Sequence, residues 1–69
     1  MHFRENIDLS DIDLRRVDLS GADLTGANLT GANLTGGILR GGKVIYAKLA
    51  DANLRGTDLT GANLTGANL

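Results

Sequence analysis

From Leu9 to Leu69 every fifth residue is leucine, with one exception, Val44. No insertion breaks the beat. Starting at Ile7 the chain divides into IDLSD, IDLRR, VDLSG, ADLTG, ANLTG, ANLTG, GILRG, GKVIY, AKLAD, ANLRG, TDLTG, ANLTG and a final ANL. The places in a unit are labelled −2, −1, 0, +1 and +2 around the leucine. A period of five excludes an amphipathic helix, which needs apolar residues at i, i+3, i+4 and i+7. Leucines five apart would wind around a helix axis and face every side. Ten glycines argue the same way, each costing a helix about 0.8–1 kcal/mol relative to alanine.

One unit read as geometry gives an alternative. Places −2 and 0 are two residues apart, so in extended backbone their side chains point the same way, and place −1 points the other way. Places −2 and 0 are mostly Ala and Leu, and place −1 is mostly Asp or Asn. Thr, Ser or Arg follows, then usually Gly. Gly accepts turn conformations that other residues resist. Each unit is therefore a short extended step, apolar inside and polar outside, closed by a corner. A chain that always turns the same way coils and climbs. The repeat predicts an all-β solenoid with coils stacked at about 4.8 Å, the inter-strand spacing.

The units ADLTG and ANLTG, in unbroken register over residues 7–69, resemble the pentapeptide-repeat family, whose motif is roughly A(D/N)LxG. The resemblance implies a right-handed quadrilateral β-helix of four units per coil. This chain would make about three coils, with residue n stacking on n+20. Residues 1–6 then form an N-terminal cap segment and residues 7–69 the solenoid. Larger residues at place −2 of the first coil, Ile7, Ile12 and Val17, are expected to plug its open face, with Met1 and Phe3 folded over it.

Composition narrows the function. There is no cysteine and one histidine, His2, beside the first residue. Asp8, Asp13, Asp18 and Asp23 could suggest acid–base chemistry, yet they occupy a place where Asn substitutes freely along the chain. Asn cannot do carboxylate chemistry, so the slot reads as a turn-stabilising one. The calcium-binding nonapeptide and EF-hand spacings are absent. Stacked by twenties, the place +1 columns are Ser10-Thr30-Ala50, Arg15-Thr35-Arg55, Ser20-Arg40-Thr60 and Thr25-Ile45-Thr65; no uniform threonine array for ice binding results. No enzyme, cofactor, metal or small-molecule substrate is expected. Net charge is −1, which offers no bulk attraction to nucleic acid or anionic lipid. No apolar run approaches the roughly 20 residues of a membrane span, and no signal peptide is visible; a cytoplasmic protein is expected.

The irregular stretch carries the functional expectation. In GILRG and GKVIY the outward places hold Ile38, Ile45 and Tyr46, and the inward place −2 shrinks to Gly37 and Gly42. Arg40, Lys43 and Lys48 are the bases of residues 24–50, which contain no acid. An apolar patch rimmed by these three cations is expected to contact a protein partner, since Tyr and Arg are favoured interface anchors. Two competing explanations are repeat drift and a structural one, in which Tyr46 covers the gap left by Gly37 and Gly42. A second expected contact is self-association end to end through Leu64 and Leu69, because an open coil presents unpaired backbone. The expected function is a non-enzymatic structural or protein-interaction module. The alternative, implied by the family resemblance, is a DNA-mimic inhibitor or protector of a type II topoisomerase or similar enzyme. It would be carried by the acidic first coil, Asp8, Asp11, Asp13, Asp18 and Asp23.

Overall fold

The computed structural model of the chain describes residues 3–69. Met1 and His2, part of the expected cap, lie outside the described residues. The chain is a right-handed quadrilateral β-helix. Place −1 residues pair in parallel with those twenty positions on: Asp8 with Asn28, Asn28 with Lys48, and Lys48 with Asn68. These four define wall 1. Asp13, Asn33 and Asn53 define wall 2, Asp18, Ile38 and Asp58 wall 3, and Asp23, Lys43 and Asn63 wall 4.

The backbone of one unit explains the stacking. Leu29 N–H donates to Lys48 C=O in the next coil, 2.7 Å, and Gly31 N–H donates to Ala50 C=O, 2.9 Å. Asn28 N–H donates back to Ile7 C=O in the previous coil, 2.9 Å. Ala32 N–H closes the corner onto Leu29 C=O, 3.0 Å. Every buried backbone group so paired avoids the penalty of an orphaned donor or acceptor.

The corner needs a left-handed residue. Every fifth residue from Asn6 to Gly66 has a φ between 56° and 73°. Most are glycine. The exceptions are Asn6, Asp11, Arg16, Tyr46 and Asp51. Asn and Asp tolerate this region better than other side chains, so Arg16 and Tyr46 are the costly ones.

The core forms where coils have neighbours on both sides. Leu24, Leu29, Leu34, Leu39 and Val44 are sealed, with Ala22, Ala27, Ala32 and Ala47 between them. Full burial of each large side chain is worth roughly 1.5–3 kcal/mol. Leu9, Leu14, Leu54, Leu59 and Leu64 are only half-buried. At the N-terminal end Phe3, Ile7 and Val17 pack against the core. Ile12 stays 37% exposed, so it plugs the face less than Ile7 and Val17, which are half-buried on the neighbouring walls.

Candidate functional site

The outward surface is held by one repeated brace. In unit ANLTG the Asn28 Oδ1 accepts both the Thr30 N–H, 3.1 Å, and the Thr30 hydroxyl, 2.6 Å. The same double contact joins Asp8 to Ser10, Asp18 to Ser20, Asp23 to Thr25, Asn33 to Thr35, Asp58 to Thr60 and Asn63 to Thr65. At Asp13 the hydroxyl is replaced by the Arg15 guanidinium, and Asn53 accepts the Arg55 N–H. This explains the interchange of Asp and Asn: the brace needs an oxygen, not a charge.

The brace lowers the pKa of Asp8, Asp13, Asp18 and Asp58. The Ser10 hydroxyl and N–H lower the pKa of Asp8, and those of Ser20 lower that of Asp18. Arg15 brings Asp13 down to about 2. The Thr60 hydroxyl, followed by Arg40, holds Asp58 well below the carboxylate range. These are ionised, occupied acceptors. The first-coil carboxylates Asp8, Asp13, Asp18 and Asp23 stand on four different walls, and Asp11 on the corner between walls 1 and 2. They do not line up on one face. A shallow hollow on wall 2, lined by Asp13, Arg15, Arg16 and Thr35, is the place where the Asp13–Arg15 pair sits.

Three successive units lack the brace. Ile38, Lys43 and Lys48 replace the Asp or Asn at place −1, and Arg40, Ile45 and Ala50 replace the hydroxyl residue at place +1. Among the described residues no acceptor takes the N–H of Arg40, Ile45 or Ala50. The parallel ladder nevertheless continues through all three units. The interruption was legible in the sequence as the joint loss of both brace residues, and it extends one unit further than the apolar residues suggest, to Lys48 and Ala50.

Of the expected patch, the fold brings together one part and redirects another. Ile38 and Ile45 are half-buried on walls 3 and 4, on either side of the Gly41 corner. Arg40 is not a free rim cation. Its Nη2 and Nε reach Asp58 Oδ2 across the coil boundary at 2.5 and 3.1 Å. Lys43 and Lys48 are exposed and form no ion pair among the described residues. Tyr46 stands between them, on the corner joining wall 4 to wall 1. It is 66% exposed with φ 58°.

The Tyr46 ring lies against Gly66, at the same corner one coil on, where an added Cβ would overlap Tyr46 Cδ1 and Cε1. Asn6 covers Gly26 and Asp11 covers Gly31 in the same manner. The ring thus packs along the corner column. Gly37 and Gly42 are instead closed in from within, by Leu34 C=O and Leu39 C=O, each 3.1 Å from an added Cβ. The Thr57 hydroxyl donates to that same Leu34 carbonyl, 2.7 Å. Of the second expected contact, Leu69 is 73% exposed and Leu64 half-buried. Among the described residues no group of three or more His, Cys, Asp or Glu could hold a metal ion. No helix is long and apolar enough to cross a membrane.

The family model for pentapeptide repeats matches the sequence of this coil in 8 copies, over residues 5–41 and 44–69. The chain belongs to the pentapeptide-repeat family. The gap in that match, residues 42 and 43, falls inside the unbraced run. A pentapeptide repeat protein from the Arabidopsis thaliana thylakoid lumen superposes with a TM-score of 0.94 at 35% identity, over 99% of this chain and 47% of its own. One from the cyanobacterium Cyanothece 51142 gives 0.88 at 38% identity, over 91% and 44%. HetL of Nostoc sp. strain PCC 7120, a pentapeptide repeat protein involved in heterocyst differentiation regulation, gives 0.62 at 39% identity, over 90% and 34%. The chain spans less than half the length of each. No curated protein matches it.

Proposed function

We propose that this chain is a non-enzymatic protein-interaction module whose contact surface is the Tyr46 corner with the walls either side of it. The observation that carries the reading is Tyr46 itself. A bulky aromatic holds a left-handed conformation that costs a non-glycine residue about 1–2 kcal/mol, at a place where most units use glycine. It does so while leaving most of its surface in solvent. Strain retained at an exposed aromatic supports a role beyond folding. Lys43, Ile45 and Lys48 surround it, an aromatic and aliphatic centre with a cationic border of the kind found at protein contacts.

The DNA-mimic reading draws less support. Its carboxylates are distributed around the first coil rather than along one face, and Asp8, Asp13, Asp18 and Asp23 each commit Oδ1 to a brace. A duplex-like surface needs charge aligned along one side.

The test compares retention of proteins from a cell extract on immobilised wild-type chain, Tyr46→Gly and Leu69→Lys. The contact reading expects a protein held by wild type and Leu69→Lys and lost with Tyr46→Gly, which stays folded. Loss with Leu69→Lys alone would transfer the function to the end of the solenoid. A captured DNA-binding enzyme that survives Tyr46→Gly would favour the mimic.

A further inference from the structure

The N–H groups of Ile45 and Ala50 point to what this corner binds. In every braced unit the place +1 N–H is taken by an Asp or Asn oxygen on the outer surface. At Ile45 and Ala50 the backbone repeats in register but that oxygen is gone, and both residues are partly exposed, so water can take the donors. In the free protein this costs little. Once a partner covers Ile45 and Tyr46 the water is expelled, and an uncovered donor then carries the full desolvation penalty. A partner that buries this corner must therefore bring acceptors. The residue at each vacant place is a lysine, Lys43 beside the Ile45 N–H and Lys48 beside the Ala50 N–H. Neither ammonium has an acidic partner among the described residues. An acceptor next to an unpaired cation is best supplied as a carboxylate, because charge-assisted hydrogen bonds are shorter and stronger than neutral ones.

The third unbraced N–H, of Arg40, differs. Its wall carries a cation already held by Asp58 and flanked by Asp18, whose pKa Arg40 also lowers. That wall offers a carboxylate little. The candidate surface is walls 4 and 1 around Tyr46, where Lys43 has Asp23 as its ladder neighbour but, unlike Arg40, forms no ion pair among the described residues.

We propose that the Tyr46 corner docks an acidic protein segment. Asp or Glu carboxylates of that segment take the places left by the missing Asp or Asn oxygens at residues 43 and 48, and an apolar side chain of the segment meets Ile45 and Tyr46. The proposal rests on the reading of this corner as a protein contact and names the partner's chemistry.

Amide chemical shifts of the whole chain are followed by NMR during titration with a short capped peptide alternating Glu and Leu. Parallel titrations use the same peptide with Gln for Glu, a short DNA duplex, and vesicles of anionic phospholipid. The expected result is saturable movement of the Ile45 and Ala50 amides with the Glu peptide, and binding roughly tenfold weaker with the Gln peptide, as charge-assisted bonds are lost. A repaired variant, Lys43→Asp, Ile45→Thr, Lys48→Asn and Ala50→Thr, refills both places and should keep the remaining spectrum while losing the response. Equal binding of Glu and Gln peptides at Tyr46 would overturn the acidic class and leave the contact reading standing. No movement of these amides with the Glu peptide, or movement with duplex or vesicles alone, would overturn the proposal. Failure of the contact reading is read separately, from retention on Tyr46→Gly.

Discussion

Residues 22–36 and residues 37–51 are each three units long and occupy the same solenoid. Inside, they are alike. Leu24, Leu29 and Leu34 in the first run and Leu39, Val44 and Leu49 in the second are all buried. Outside, they share almost nothing. The first run is braced at Asp23, Asn28 and Asn33, and the second has no brace, two exposed lysines and an aromatic corner. The difference teaches that the coil is specified by its inward places and its ladder. The outward brace adds stability without being required at every unit. Where it is given up, the surface becomes available for chemistry that Asp and Thr would otherwise occupy.

The strongest way to break this comparison is through the core. Leu29→Ala in the braced run and Leu39→Ala in the unbraced run should cost similar amounts, about 2–5 kcal/mol each, by chemical denaturation. A Leu39→Ala cost below about 1 kcal/mol would mean that the irregular units are not held by the same core.

A smaller effect separates the two surfaces. Asn28→Ala leaves the Thr30 N–H and hydroxyl without their acceptor and should destabilise by about 1 kcal/mol. Lys48→Ala, at the same wall one coil on, should fall within about 0.5 kcal/mol of wild type. If both cost the same, the brace contributes nothing that Lys48 does not.

Tyr46→Gly sharpens the comparison at the corner. Relief of left-handed strain should raise stability by up to about 1 kcal/mol, reduced by the lost ring contact with Gly66. Thermal unfolding reads this directly, and a destabilised Tyr46→Gly would mean that the ring is structural. Gly66→Ala should displace the ring with Tyr46 still present, seen as altered tyrosine fluorescence.

The pH response is the mildest test. Asp8, Asp13, Asp18 and Asp58 all have depressed pKa values when folded. As pH falls the unfolded chain binds protons first, near the ordinary value of about 3.9. Stability from these groups is therefore complete above about pH 4 and declines as pH drops toward about 2, where Asp13 titrates in the folded chain. Replacing Asp8, Asp13, Asp18 and Asp58 by Asn keeps the braces and should flatten the acid limb of a pH melt.

Much of this was legible in the sequence. A strict spacing of five, with apolar residues at −2 and 0 and a turn-former at +2, specifies extended steps and corners through local sterics alone. The family likeness added the number of sides. The place −1 slot was readable as a hydrogen-bonding one because Asp and Asn interchange there. What the sequence left open was which outward residues meet across coils. Arg40 was expected at the rim of a patch, and the twenty-residue stacking instead puts it within reach of Asp58. The competing structural explanation put Tyr46 over Gly37 and Gly42, and the corner column lays it on Gly66.

The periodicity by itself determined the solenoid, the inward ladder and the position of the irregular units, because each follows from a residue's own backbone preference and its place in a five-residue step. Only the tertiary structure decided which cations are free and where the aromatic ring lies. Those depend on neighbours twenty residues away, brought within a few ångströms by coil stacking.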